Sequence, residues 1–128
     1  EAWTIAKKYN LDLKKTFDGI KISSGNSFVH ETESQVILNG SYNINFTMDL
    51  VEKDMSLFNK LSKDKNVELE IAPFVLDIFK DAKKKFGSRA WSSMVVKRLE
   101  DKYGINFREK GFPEELVDYE PEEKGQEV

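Results

Sequence analysis

The chain has 128 residues, 39% hydrophobic and 34% charged, with nine Phe, four Tyr and two Trp, which suits one domain with a filled core. The net charge of −3 argues against a general nucleic-acid binder, and the absence of Cys excludes disulfides and thiolate metal sites. A single His argues against a His-based metal centre, and no apolar run approaches the roughly 18 residues of a membrane span.

Together these features read as a cytoplasmic globular domain. Glu1 to Tyr9 carries a helical pattern with Trp3, Ile5, Ala6 and Tyr9 on its apolar side. It begins with neither Met nor a capping residue, so a piece of a longer protein is expected. Asn10 is the expected stop, since Asn tolerates the left-handed conformation that ends helices. Asp12 should cap a second helix to about Lys21, with Leu13, Phe17 and Ile20 inward. Ser23-Ser24-Gly25-Asn26-Ser27 is a polar turn that caps the next helix or lies against a ligand. The third helix runs from about Phe28 to Leu38 and stops at Asn39-Gly40. His30, in its first turn, reads as a surface or interhelical polar group.

The fourth helix, Phe46 to Leu61, carries the strongest signal, with Asn45 or Thr47 as its cap. Leu50, Val51, Met55, Leu57, Phe58 and Leu61 fall on one arc, expected to be buried. Asp54 lies near the middle of that arc and Lys53 at its edge. A carboxylate there costs free energy unless it is paired and hydrogen-bonded. Lys53-Asp54 is therefore either a structural network or part of a site.

Val67 to Ile71 alternates like a strand but has no obvious partner, and is expected as an extended connector. Pro73 suits the first turn of a fifth helix, with Val75, Ile78, Phe79, Ala82 and Phe86 as its stripe and Gly87 as its end. A last helix, capped by Ser88 or Ser92, runs to Tyr103 and closes at Gly104. The stretch from Ile105 to Val128 reads as an acidic arm, mobile over Glu120 to Val128. The fold expected is all-α, a bundle of about six helices.

The sequence has no Gly-rich phosphate loop, nucleophile-elbow Ser, paired-His metal motif or EF-hand loop. Lys83-Lys84-Lys85 with Arg89 is its basic cluster, read as a solvated helix face rather than a nucleic-acid footprint.

Phe46-x-x-x-Leu50-x-x-Lys53-Asp54-Met55-x-Leu57 resembles the F-x-x-x-L-x-x-K-D-L-x-L signature of the β-hydroxyacid dehydrogenase family. The order of other features is similar too: Glu1-Ala2 through Leu11-Asp12, the Ser24-Gly25-Asn26-Ser27 turn, the Pro73 helix and the Trp91-Ser92-Ser93-x-Val95 start. Glu68, Glu70, Arg89 and Ala90 depart from the family pattern.

The resemblance implies an all-α fold similar to the C-terminal domain of 6-phosphogluconate dehydrogenase-like enzymes. Residues 1–104 would form that domain, with 1–9 the end of a long interdomain helix, and 105–128 the arm. It implies NAD or NADP as cofactor and a small hydroxyacid or semialdehyde as substrate. Its partners would be an N-terminal dinucleotide-binding domain and further copies of the chain in a homodimer or tetramer. Lys53 would reach the cofactor near its nicotinamide end, Asp54 orient the site and Phe46 line the pocket, with Ser27 a further cofactor-side candidate. No catalytic or metal residue is expected here, because the family's proton-donating Lys and its phosphate loop would precede Glu1. The rival reading is a free-standing helical interaction module, with the Lys83–Lys85 run as its docking face.

Overall fold

The computed structural model describes residues 1–117, 121 and 125. Among these there are six α-helices and no strand: α1 (Ala2–Lys8), α2 (Leu13–Lys21), α3 (Phe28–Asn39), α4 (Met48–Asp64), α5 (Ile71–Phe86) and α6 (Lys97–Tyr103). No helix among the described residues is long and apolar enough to cross a membrane. The expected mobile stretch from Glu120 to Val128 falls almost wholly outside the described residues.

Local chemistry explains most helix ends. Asn10 has φ of 56°, the left-handed conformation expected of a stop. The Asp12 carboxylate accepts from Lys15 N at 2.9 Å and caps α2. Ser27 Oγ accepts from His30 N at 2.9 Å and caps α3, which ends on a left-handed Gly40. Gly40 is also a close approach, since a Cβ there would collide with the Arg108 side chain.

The core lies on the α1–α2–α3 side. Trp3, Ala6, Leu13, Phe17, Ile37, Leu38, Tyr42 and Phe107 form one buried cluster, with Trp91, Met94, Ile105 and Phe112 packed against it. Phe107, 0% exposed, shows that the chain beyond Gly104 returns to the core. Glu109 N donates to Leu38 O at 2.9 Å along the same path. Glu100 fixes this return. Its buried carboxylate accepts from Phe107 N (2.7 Å), Arg108 Nη1 (3.2 Å) and the Tyr42 hydroxyl. Burial and the Glu100 bond push the Tyr42 phenol up to about 12. His30 is buried as well, stacked on Phe17 at 4.8 Å with Nε2 3.0 Å from Phe17 O.

Two helices differ from their expected form. The last helix is split into a 3-10 segment, Ser92–Val96, and α6. Tertiary bonds decide this: Ser92 N donates to Phe46 O at 2.8 Å and Ser93 Oγ to Tyr42 O at 2.7 Å. Neither Ser88 nor Ser92 caps a helix there; Trp91 holds the N-cap position with no side-chain bond.

The second difference concerns α4. Its apolar arc was expected to be buried, but Leu57, Phe58 and Leu61 are exposed, Phe58 at 55%. The helix packs on α5 by another stripe, Met48, Glu52, Met55, Asn59 and Ser62, spaced four and three residues apart. Met48 and Asn59 are its buried members, and Glu52 pairs with Lys83 of α5. Of the expected arc, Leu50, Val51 and Met55 are half-buried, while Leu57, Phe58 and Leu61, with Asp54 beside them, are exposed.

Candidate functional site

The site is built around the start of α4. Met48 N and Asp49 N, which lack helical partners, donate to Ala90 O (2.9 Å) and Ser88 O (3.1 Å). Thr47 and Trp91 form an isolated antiparallel bridge. The Asp49 carboxylate takes the Thr47 hydroxyl and lies 3.3 Å from Arg89 Nη1. The Thr47 bond first, then Arg89, holds it below the usual aspartate range. These bonds, with Ser92 N on Phe46 O, pin Phe46 beside the 3-10 segment.

Phe46 lines a partly enclosed cavity of about 370 Å³ between α3, α4, α5 and the 3-10 segment. Apolar walls come from Val29, Ile37, Val51, Phe79, Val95 and Val96; Glu33, Ser34, Ser92 and Ser93 are its polar lining. Lys53, Asp54 and Ser27 do not line it.

Lys53 Nζ and Asp54 Oδ1 pair directly at 2.7 Å, with side chains 60% and 54% exposed. Such a pair contributes little to stability. The expected buried carboxylate is thus a solvent-facing one, because α4 turns its other flank to α5. What the pair offers instead is an ammonium and a carboxylate side by side on an open helix face. That ammonium suits phosphate or ribose oxygens and the carboxylate suits hydroxyls. Ser27 is engaged as the α3 cap, so its hydroxyl already has a structural partner.

Sequence reasoning missed Glu33 and Ser92. A signal for Glu33 was present, since Val29, Glu33 and Ile37 form an i, i+4, i+8 row on α3 with an acid between two apolar residues. Burial raises the Glu33 carboxyl above the usual glutamate value. Ser92 carried no such signal, because its burial depends on the 3-10 segment folding under Phe46.

The basic cluster is largely neutralised within the chain. Lys83 pairs with Glu52, Lys85 with Asp101 at 2.8 Å and Arg89 with Asp49. Among the described residues no group of three or more His, Cys, Asp or Glu is placed to hold a metal ion.

Residues 1–99 match the family model described as NAD-binding of NADP-dependent 3-hydroxyisobutyrate dehydrogenase. The chain belongs to this family. Its cofactor is NAD or NADP. The chain is similar to L-threonate dehydrogenase of Haemophilus influenzae, 25% identical over 111 residues, covering 87% of this chain and 36% of that protein. It is also similar to the crystal structure of 3-hydroxyisobutyrate dehydrogenase from Salmonella typhimurium, with a TM-score of 0.71 and 26% identity. That match covers 77% of this chain and 34% of the other. The chain therefore spans about a third of the length of these dehydrogenases.

The match also corrects the fold assignment. The bundle was expected to resemble the C-terminal domain of 6-phosphogluconate dehydrogenase-like enzymes, whereas the matching model is an NAD-binding one. That assignment rested on the order of short motifs, which mark the family, and helical periodicity marks only helices and their apolar stripes. Neither says which part of an enzyme a set of helices forms.

Proposed function

We propose that this chain is a helical, cofactor-contacting part of an NAD(P)-dependent dehydrogenase or reductase of small 3-hydroxyacids, and that it does not turn over alone. The observation that carries the reading is the open face of α4, where the Lys53–Asp54 pair stands among exposed Leu57, Phe58 and Leu61. A charged pair on an exposed apolar face suits a cleft wall that meets a cofactor. Phe46, at the head of the same helix, excludes water from the reacting end. Lys53 contacts the cofactor's ribose or phosphate oxygens, Asp54 orients that contact and Ser27 borders the site.

The family's named members support a small hydroxyacid or its semialdehyde as substrate. Hydride transfer needs a dinucleotide-binding unit, and this sequence contains no Gly-rich phosphate loop to supply one. The partners are therefore such a unit and, through exposed apolar faces, a second copy of the chain.

The test is Lys53→Ala in the complete dehydrogenase. Losing one charge-assisted contact should raise KM for the cofactor by about tenfold. The melting temperature should not move. An unchanged KM removes Lys53 from the site. Measurable turnover by the 128-residue chain alone would overturn the second half of the proposal.

A further inference from the structure

The cavity beside Phe46 has its own chemistry, independent of Lys53 and Asp54. Its volume of about 370 Å³ lies at the small end of ligand pockets. Val29, Ile37, Phe46, Val51 and Phe79 make its walls apolar. Two polar groups on it lack partners. Ser92 is 5% exposed, yet among the described residues its hydroxyl makes no hydrogen bond. The Glu33 carboxylate likewise has no hydrogen-bond or ion-pair partner among the described residues. Neither group is sealed from solvent, Glu33 being half-buried, so each has an oxygen open to accept from a donor that enters the cavity. Glu33 is also the one charged residue of the lining, with no Lys, Arg or His facing it.

We propose that this cavity is a binding site for a small primary amine with an apolar body, its ammonium held by Glu33 and Ser92. The ammonium donates to the Glu33 carboxylate and to the Ser92 oxygen. The apolar body fills the space between Phe46, Phe79 and the valines. A cation is favoured over a neutral amide because it restores the charged form of Glu33, which burial disfavours. A carboxylate ligand is excluded, since it would face Glu33 with like charge and no cation between them.

The experiment is a titration of the 128-residue chain near neutral pH, followed by methyl NMR. The probes are 2-phenylethylamine, its neutral analogue ethylbenzene and the anion phenylacetate. The amine should bind saturably, with shifts at Val29, Ile37, Val51 and Val96. Glu33→Gln should weaken it about tenfold, the worth of one charge-assisted bond. Ser92→Ala should weaken it by about threefold, the worth of one neutral bond. Ethylbenzene should bind more weakly than the amine, and phenylacetate not at all. Glu33→Gln keeps the side chain's shape on a helix face, and circular dichroism confirms its fold. The proposal is overturned if the amine does not saturate at millimolar concentration, if the shifts map elsewhere, or if Glu33→Gln binds it as well as the parent chain. Because Lys53 does not line the cavity, Lys53→Ala should leave amine binding unchanged, which separates this site from the cofactor contact proposed above.

Discussion

Glu100 and Asp54 are both acids set among apolar neighbours, yet one is sealed into the core and the other lies in solvent. Glu100 sits where α6, Tyr42 and the returning chain meet, and its partners come from two other segments, Tyr42 from one and Phe107 and Arg108 from the other. Asp54 sits on an apolar helix stripe but among the described residues pairs only with its sequence neighbour Lys53. The difference lies in what stands opposite. The α1–α2–α3 side meets Phe107 and Arg108, whereas Leu57, Phe58 and Leu61 of the α4 arc are left exposed among the described residues. An amphipathic stripe is thus a surface in search of cover, and within one chain only some stripes find it.

The largest effect should come from emptying the covered side. Phe107→Ala should cost about 4 kcal/mol, since a fully buried aromatic leaves a cavity that its neighbours fill only in part. Urea unfolding measures this directly. A loss below about 1 kcal/mol would show that the returning segment is not part of the core.

A smaller effect should appear on titrating the same side. The folded Tyr42 phenol is raised to about 12, above its usual value near 10. The fold therefore favours the protonated form. That stabilisation is fully present below about pH 10 and is lost as pH rises through about 12. Urea midpoints measured across this range should fall, and Tyr42→Phe should flatten the decline. An equally steep decline in Tyr42→Phe would place the alkaline transition elsewhere.

The smallest effect should come from the open side. Phe58→Ser should change the stability of this chain by no more than about 0.5 kcal/mol, as for other exposed positions. A loss above about 1.5 kcal/mol would mean that the α4 arc is covered within this chain, and the contrast with Glu100 would fail.

Much of the local structure was legible in the residues themselves. Asp12 and Ser27 cap the helices they precede, Asn10 and Gly40 end the ones they follow, and Pro73 sits in the first turn of α5. The α5 stripe identified Ala82 as inward but passed over Leu76, which is also buried. The Lys53-Asp54 pair stood out in the sequence, but for a burial it does not have. Glu33 drew no notice, although its flanking Val29 and Ile37 placed it on an apolar row. Ser92 could not be found this way at all, because its setting is made by Phe46 O, forty-six residues earlier in the chain.

The sequence by itself determined where most helices begin and end and which side of each is apolar, because caps, left-handed stops and 3.6-residue periodicity act within a few residues. Only the tertiary structure decided which of those sides are covered. Covering depends on contacts between segments far apart in sequence: Phe107 and Glu100 against Tyr42, Ser92 under Phe46, Glu52 on Lys83. It also left the Leu57, Phe58 and Leu61 part of the α4 arc open, with Lys53 and Asp54 facing outward.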